Sequence, residues 1–345
     1  MLNKTKERIN EIHPEIEKLK FNLQDIRFST PYEIATYRAK RLKCDTIVDI
    51  GCGTGFQSFA FAKECKKVIS VDDSKEAIEN ARTNAEILGI KNIIFIYGDA
   101  LSKEVAEKIK GYKPDIVFCD PERIEEEKER KLETMSPNIK RFVKLYSDIT
   151  LNIAIEMPPF IKDLKFDCEK EYLYYNERKH LTVYLNSLKK NEKNALILQE
   201  NISIIFDKNL GEEERRVMQE KGSIEYYIYE VKESINMAGL IPELIKKFPD
   251  LKVLKQNKHT FLTSKKKIES GFFKSIFNVL ETVDNKFNLI LGALKRHNAK
   301  HVVLRFSVSP EQYWDIRKKY EQELDGIEKL HLFFFDDKAV ICRLI

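Results

Sequence analysis

The central part of this 345-residue chain predicts an α/β fold, in which a mostly parallel sheet carries helices on both faces. Three observations predict it: short apolar strands alternate with amphipathic helices between residues 46 and 121, a glycine-rich turn follows the first strand, and an acid stands at or near the end of each of four strands. Alternating strands and helices form parallel sheets. The chain is also long for one core, so a second domain is expected.

The glycine-rich turn follows the strand Thr46–Ile50 and reads Gly-Cys-Gly-Thr-Gly from Gly51 to Gly55. Glycine lets the backbone turn sharply and approach a ligand where a Cβ would collide. A helix over residues 57–64 follows, and its first N–H groups face the turn. Such an arrangement binds a nucleotide-like cofactor. A glycine triplet is also compatible with an ordinary turn, and this spacing differs from the dinucleotide fingerprint Gly-x-Gly-x-x-Gly.

Each of the next three strands leads to an acid. The strand Val68–Asp72 ends about 20 residues after the turn, where such folds bind a ribose. After a helix over residues 75–88, the strand at 93–97 leads to Asp99, and the strand from Pro114 ends in Asp120. Ligands of parallel sheets bind beyond the carboxyl ends of the strands. A strand-end acid can also be a turn residue or a helix cap, an alternative that is weakest for Asp72.

These four motifs, in register over residues 28–121, resemble the class I S-adenosylmethionine-dependent methyltransferases. The resemblance implies a Rossmann-like, seven-stranded sheet and S-adenosylmethionine as the cofactor. It implies that Asp72 binds the ribose hydroxyls and that Asp99 faces the adenine amine. The residues implied in cofactor binding are Thr30, Pro31, Asp49, Gly51, Cys52, Gly53, Gly55, Phe56, Asp72, Asp99, Ala100 and Asp120. The residues implied in catalysis, where the methyl acceptor enters, are Asp120, Pro121 and Arg123.

Residues 1–27 predict an N-terminal helical segment that packs on the catalytic domain, because Ile9, Ile12, Ile16 and Leu19 recur at helical spacing. A second helix follows and ends near residue 42, with Ser29 or Thr30 as its cap. The sequence Phe-Ser-Thr-Pro-x-x-Ile-Ala at residues 28–35 is similar to trimethylguanosine synthases, in which this segment covers the cofactor. The likeness ends at Asp-Pro-Glu-Arg, residues 120–123, where that family has Pro-Pro-Trp, so cap guanosine is not supported as the substrate.

The rest of the first domain, residues 28–210, continues the alternation. We predict strands at residues 151–157, 171–175 and 194–198, with helices near residues 139–149 and 181–188. A charged, turn-rich linker is predicted at residues 210–222.

Residues 223–345 predict a smaller α+β domain, with strands at 226–230, 259–263 and 302–306, helices at 234–244, 289–297 and 310–324, and a closing hairpin around residues 336–337. This order resembles the THUMP-like domain that follows the methyltransferase core in one family of archaea and bacteria. That family has Asp-Pro-x-Arg at its catalytic position, as residues 120–123 do here. The resemblance implies that the accessory domain handles RNA.

Charge is uneven along the chain. The net charge is +5 overall, whereas residues 251–305 alone hold 12 basic and 3 acidic residues, a balance of +9. A basic segment favours an anionic partner, most simply RNA. The alternative is an ordinary lysine-rich surface.

Composition narrows the classes of protein further. No apolar run approaches the roughly 20 residues of a membrane span, and no apolar signal core stands at the N-terminus, so we expect a cytoplasmic location without a membrane. The six cysteines are scattered and predict free thiols. The six histidines do not cluster, and no metal is expected. The sequence does not indicate an oligomeric state.

Methyl transfer to a base amine would use Asp120 as a hydrogen-bond acceptor and Pro121 to fix the loop. Arg123 would clamp a phosphate or pair with an acid, either Asp120 or the glutamates at 125–127. Tyr32, Tyr37 and Phe160 are candidates for stacking on the base, or they are core residues. Two other functions stay open: methylation of a protein or small molecule, and nucleic-acid binding without catalysis.

Overall fold

The computed structural model describes residues 9–22, 29–122, 132, 134–161, 164, 166–256 and 259–345. Arg123, the glutamates at 125–127 and the first eight residues of the N-terminal segment therefore lie outside the described residues. The chain divides into two compact units, an N-terminal unit of residues Met1–Asn194 and a C-terminal unit of residues Ala195–Ile345. This division falls earlier than residues 210–223, where the sequence placed the boundary.

The first sheet has nine strands in the order β3-β2-β1-β4-β5-β7-β6-β8-β9. Pairings among β1 to β5 are parallel, and β7 pairs antiparallel with both β5 and β6. The strands are β1 (Thr46–Ile50), β2 (Lys67–Asp72), β3 (Ile93–Tyr97), β4 (Ile116–Cys119), β5 (Ile153–Met157), β6 (Cys168–Tyr175), β7 (Arg178–Leu185), β8 (Lys193–Ile197) and β9 (Ile202–Ile205).

Five helices of the N-terminal unit flank these strands: one precedes β1 and four connect β1 to β5, in agreement with the predicted alternation. They are α1 (Tyr32–Arg41), α2 (Phe56–Glu64), α3 (Lys75–Ile87), α4 (Lys103–Gly111) and α5 (Ile139–Tyr146), with short 3-10 turns at Ile16–Lys18 and Asn186–Leu188. The Ser74 and Ser102 hydroxyls accept hydrogen bonds from N–H groups in the first turns of α3 and α4, which fixes where both helices begin.

The prediction of a seven-stranded sheet was wrong, because β7 and β9 were not recognised. Residues 181–188 were predicted as a helix, but residues up to Leu185 form β7. The cause is the tight turn before it: Asn176 and Glu177 have φ values of 45° and 62°. Positive φ at two successive residues is the geometry of a two-residue hairpin turn, which directs the chain back as an antiparallel strand.

One face of the first sheet is covered by α1 and α2, with Ala35, Phe61, Phe118 and Ala154 in a buried apolar cluster. The N-terminal segment packs as predicted: Ile12, Ile16 and Leu19 are buried against Phe56, Phe59 and Ala85. Asn84, fully buried in α3, fixes this segment near the glycine turn. Its Oδ1 accepts from the Lys20 N–H at 2.6 Å, and its Nδ2 donates to the carbonyls of Lys20 at 2.9 Å and Thr54 at 3.3 Å.

The C-terminal unit contains a seven-stranded sheet in the order β11-β12-β10-β13-β16-β15-β14, parallel only between β14 and β15. The strands are β10 (Tyr227–Val231), β11 (Lys252–Gln256), β12 (Thr260–Ser264), β13 (Phe273–Asp284), β14 (Ala299–Leu304), β15 (Glu328–Phe335) and β16 (Lys338–Leu344). The helices are α6 (Glu212–Met218), α7 (Glu233–Ala238), α8 (Ile241–Lys247), α9 (Phe287–Arg296) and α10 (Pro310–Glu321).

The predicted α+β composition and closing hairpin of this unit are confirmed, but three details were wrong. β11 and the long β13 were not recognised. Residues 234–244 form two helices, because Gly239 has a φ of 69° and ends α7. The charged stretch predicted as a linker contains α6, whose first turn carries three glutamates that favour a helix N-terminus.

Two further findings concern the described part of the chain. None of its helices is long and apolar enough to cross a membrane. All six cysteines are free; Cys52, Cys65, Cys119 and Cys342 are buried, whereas Cys44 and Cys168 are partly buried.

Candidate active site

The glycine turn between β1 and α2 brings the backbone close to the end of β4. Gly51 has a φ of 75°, and a Cβ there would lie 2.7 Å from the carbonyl oxygen of Asp120. Only glycine therefore fits this crossing. Gly53 has a φ of 52°, but a Cβ there would meet no atom within 4 Å. The turn is thus packed against β4 on one side and open at Gly53, as a backbone that approaches a ligand must be.

Asp72, at the end of β2, fixes the open part of this turn. Its Oδ2 accepts a hydrogen bond from the Gly53 N–H at 2.8 Å, and its Oδ1 accepts from the Ser74 N–H at 2.9 Å. A carboxylate has about four acceptor positions and can hold several donors at once. The resemblance implied a ribose contact for Asp72; the hydrogen bond to Gly53 adds a structural role.

Asp49 lies beneath the turn and is 1% exposed. Its Oδ2 accepts a hydrogen bond from the Ser58 hydroxyl at 2.5 Å, and Ser70 in turn donates to Ser58 at 2.8 Å. Burial raises the pKa of Asp49 to about 7, against the opposing effect of the Ser58 hydrogen bond. The second oxygen, Oδ1, is buried without a hydrogen-bond partner among the described residues, as is the Thr54 hydroxyl. Such atoms are ready to bind a donor from a ligand.

Asp99 and Ala100 follow β3 and shape a turn. The Asp99 carboxylate is exposed and accepts a hydrogen bond from the Leu101 N–H at 2.8 Å. Ala100 is 8% exposed, and its carbonyl accepts from the Tyr146 hydroxyl at 3.0 Å. The turn interpretation of Asp99 is therefore correct, and its exposed side chain still has free acceptor capacity for a ligand amine.

Thr30, Pro31 and Asp120 come together beside Gly51. The Thr30 hydroxyl lies 3.5 Å from Oδ2 of Asp120, and the Asp120 N–H donates to the Ile50 carbonyl at 3.1 Å. Pro31 is buried and is the N-cap of α1, so neither Ser29 nor Thr30 is the cap that the sequence predicted. The segment before α1 thus reaches the carboxyl end of β4. Pro121 is buried next to Asp120.

Arg38 was not predicted as a site residue, yet it is buried between these elements. It is 2% exposed and donates hydrogen bonds to Gln57 at 2.7 Å and Glu156 at 2.5 Å, with its guanidinium 4.8 Å from the Phe118 ring. Burial opposes its charge, but nearby carboxylates, Glu156 and then Asp120, keep the pKa of Arg38 above its usual value. We call Arg38, Gln57, Glu156 and Thr182 the Glu156 cluster; Thr182 donates to Glu156 at 3.0 Å.

The three predicted stacking residues have different environments. The Tyr37 hydroxyl donates to Glu171 at 2.7 Å, so this side chain belongs to the packing of α1 on the sheet. The Tyr32 ring packs edge-on against the His13 ring, with the two ring centroids 5.6 Å apart. Phe160, three residues beyond the end of β5, is 64% exposed. Only Phe160 of the three presents most of its ring to solvent.

Cys52, Gly55 and Phe56 complete the predicted cofactor residues, and Gly55, with a φ of 96°, is the N-cap of α2. Cys52 is 7% exposed, and burial raises the pKa of its thiol well above the usual value. The Phe56 ring packs in the apolar cluster under the N-terminal segment. Among the described residues, no group of three or more histidine, cysteine or acidic side chains is arranged to hold a metal.

Comparisons with known proteins place these observations in context. A family model described as a methyltransferase domain matches residues 42–222, slightly more than half of the chain. An uncharacterized RNA methyltransferase of Oceanobacillus iheyensis is 35% identical over 103 residues, which are 30% of this chain and 22% of that protein. Another, from Caldanaerobacter subterraneus, is 32% identical over 143 residues, 41% of this chain and 31% of that protein. The matches thus span less than a third of these relatives' lengths.

A crystal structure of a protein from Porphyromonas gingivalis W83, named as a methyltransferase, superposes on most of the chain. The TM-score is 0.75 and the sequence identity is 21%, over 93% of this chain and 82% of that one. At this identity, the two proteins share the fold.

Proposed function

We propose that this chain, which belongs to the methyltransferase-domain family, transfers a methyl group from S-adenosylmethionine to RNA. The observation that carries the proposal is the close approach at Gly51, where the backbone of the glycine turn packs against the backbone of Asp120. A cofactor held by the turn and an acceptor held by Asp120 would then lie next to each other. The RNA methyltransferases of 32–43% identity over parts of this chain support RNA as the acceptor.

The residues of the turn fit S-adenosylmethionine. The unpartnered Oδ1 of Asp49 and the Thr54 hydroxyl suit the amino-acid end of the cofactor, Asp72 suits the ribose hydroxyls and Asp99 the adenine amine. Thr30 and Pro31 lie where a cofactor cover is expected from the likeness to trimethylguanosine synthases. The cofactor supplies a methyl group on a positively charged sulfur, which a nucleophile takes in a single displacement.

The chain's own residues position the acceptor. Asp120 accepts a hydrogen bond from an acceptor amine, and the buried Pro121 limits the motion of the loop that carries it. Phe160 offers its exposed ring to a base that has left its stack. Arg123 would contribute a phosphate contact, a role inferred from sequence alone.

In the C-terminal unit, RNA contact is proposed for the basic segment 251–305, in keeping with a THUMP-like role. Lys265 and Lys266 are exposed and make no ion pair among the described residues, whereas Lys267 pairs with Glu269 at 2.6 Å. The bend that presents them is held by Tyr229, whose hydroxyl donates to the Lys266 carbonyl at 3.0 Å and accepts from the Ile268 N–H at 2.9 Å. Free thiols and an RNA substrate suit a cytoplasmic location.

The test is transfer of tritiated methyl groups by the full chain to bulk RNA and to bulk protein from a strain that lacks the gene. Label in RNA is the expected result, and mass spectrometry of the digested RNA then identifies the nucleotide. Label in protein alone would indicate that the methyl acceptor is a protein and not RNA. Cofactor binding without transfer to any fraction would indicate a nucleic-acid-binding protein without catalysis.

A further inference from the structure

His180 lies at the same edge of the sheet as Asp120. In the parallel register of β4 and β5, Cys119 pairs with Ile155, so the next residues along are Asp120 and Glu156. In the antiparallel register of β5 and β7, Met157 pairs with Leu181, so His180 comes one residue beyond the end of β5. Beyond the carboxyl ends of the strands is where such sheets bind their ligands.

The Glu156 cluster fixes one ring nitrogen of His180. Oε2 of Glu156 accepts hydrogen bonds from Arg38 and Thr182, and Oε1 lies 3.0 Å from Nδ1 of His180. An ionised carboxylate only accepts hydrogen bonds, so Nδ1 carries the hydrogen and Nε2 carries the lone pair. Arg38 keeps Glu156 ionised because a buried carboxylate beside a guanidinium favours its charged form.

The other ring nitrogen has no assigned role. Nε2 of His180 is buried and has no hydrogen-bond partner among the described residues. The side chain as a whole is 19% exposed, so another part of the imidazole side chain reaches the surface beside the buried Nε2. A neutral imidazole that is oriented by a carboxylate and keeps a free lone pair is the arrangement of a general base.

The charged groups around His180 come from four elements. Glu156 is on β5, Arg38 on α1, and Asp120 follows β4. On β7 itself, Arg178 is two residues away and pairs with Glu11 of the N-terminal segment at 2.6 Å. Each arginine is thus paired with a glutamate, and Glu156 is the carboxylate in direct contact with the ring.

We propose that His180, oriented by Glu156, takes the proton that the methyl acceptor loses, and that the acceptor is therefore an exocyclic amine of an RNA base. The proposal rests on the proposed function and names its substrate class. The amine nitrogen forms a bond to the methyl carbon while the carbon–sulfur bond breaks, and the sulfonium becomes a thioether. The nitrogen, now positively charged, gives one proton to Nε2 of His180, and the imidazolium later releases it to water. Asp120 holds the second N–H.

The substrate class follows from the proton balance. An amine, a hydroxyl or a ring N–H group must lose a proton on methylation, whereas a ring nitrogen without a hydrogen has none to lose. A dedicated base at the same edge of the sheet as Asp120 is useful only for acceptors of the first kind. Among these, the exocyclic amine offers two N–H groups, which match two acceptors, the Asp120 carboxylate and Nε2 of His180.

The experiment measures the single-turnover rate of the full chain with saturating cofactor and RNA, from pH 5.5 to 9. The wild-type rate should depend on pH, because a general base acts only in its unprotonated form. His180→Gln should lower the rate about 100-fold or more, the usual contribution of a general base, and remove this pH dependence. Cofactor affinity should stay within about threefold, since the hydrogen bonds that hold the glycine turn go to Asp72 and to the Val71 carbonyl on β2. Imidazole added to His180→Ala should restore part of the rate.

The matched control is Lys179→Gln, at the neighbouring residue of β7, whose side chain lies on the opposite face of the sheet from His180. It should retain the wild-type pH dependence and most of the rate. Two results would overturn the proposal while wild-type transfer to RNA continues: His180→Gln with the wild-type rate and pH dependence, or methylation found only at ring nitrogens. A wild-type chain that binds the cofactor but methylates no RNA would overturn the proposed function and this inference with it.

Discussion

The sheet edge around Asp49 and the basic segment 251–305 use charged side chains in opposite ways. At the sheet edge Asp49, Arg38 and Glu156 are each less than 5% exposed and have fixed partners. In the basic segment Lys265 and Lys266 are exposed, and pairs such as Arg296–Glu281 lie at the surface. A buried charge acts strongly on its immediate neighbours, whereas surface charges are individually weak and are screened by salt. The first region suits chemistry at one atom and the second suits contact with a polyanion.

The sharpest test of the buried region is Arg38→Met. It leaves Glu156 without its guanidinium partner in a buried position, so we expect the free energy of unfolding to fall by about 3–5 kcal/mol. Urea denaturation followed by circular dichroism measures it. The control is Arg82→Met on α3, where an exposed guanidinium donates to the Phe95 carbonyl, with a change below about 1 kcal/mol. Equal losses of unfolding free energy in the two variants would contradict the distinction between buried and exposed charges.

Asp120→Asn tests whether the sheet edge carries chemistry. We expect methyl transfer to fall about 100-fold or more, because the negative charge that Asp120 places at the reacting nitrogen is lost. Cofactor affinity should change by less than about threefold. Asp115→Asn is the control, since Asp115 is an exposed acid at the other end of the same strand, where it accepts from the Thr46 N–H. Parallel losses of transfer and cofactor binding in Asp120→Asn would assign this residue to the cofactor instead.

Asp72→Ala separates the cofactor side of the site from the acceptor side. Removing the carboxylate takes away the acceptor of the Gly53 N–H and the proposed ribose contact. Calorimetry should show affinity for S-adenosylmethionine weakened by roughly 1.5–3 kcal/mol. The neighbouring, exposed Asp73 offers a matched alanine control, which should bind as the wild type does. An unchanged affinity in Asp72→Ala would remove this acid from the site.

Asp49 should make the stability of the unliganded chain depend on pH. Its pKa is about 7 when folded and 3.8 in the reference state, so between these values the folded chain holds a proton that the unfolded chain has lost. Stability from this group is therefore complete below pH 4 and falls by up to about 1.4 kcal/mol per pH unit as the pH rises towards 7. Asp49→Asn should remove that slope in urea denaturation and weaken cofactor binding. If Asp49→Asn kept the wild-type dependence of stability on pH, Asp49 would not be the group that causes it.

Local patterns predicted the first four strands better than the contacts between distant parts of the chain. β1 to β4 were recognised because each is a short buried apolar run that leads to a turn with an acid. β7 was missed because Leu181, Leu185 and Leu188 also fit a helical repeat. The hairpin turn that makes this segment a strand depends on the positive φ angles of Asn176 and Glu177. Tertiary pairing thus overrode the local signal.

The burial of Arg38 could have been predicted from the sequence. It stands on the same helical face as the buried Ile34 and Ala35, and a cation on an apolar face of α1 requires a buried partner. That partner, Glu156, is 118 residues away, a contact that only the folded sheet defines. The same holds for His180, whose role depends on the register of three strands.

The smallest expected effect tests the basic segment. If Lys265 and Lys266 each contact a phosphate, log affinity for single-stranded RNA falls linearly with log salt, with a slope of about −0.7 per contact. Replacing both with alanine in the full chain should therefore flatten the slope by about 1.4 and weaken all RNA sequences alike, because phosphates carry no sequence. Alanine at Lys318 and Lys319, two exposed lysines outside the segment, is the control and should leave the slope unchanged. Equal flattening in both variants would mean that RNA responds to net charge rather than to this surface, and the contrast between a fixed buried site and a defined RNA-contacting segment would not hold.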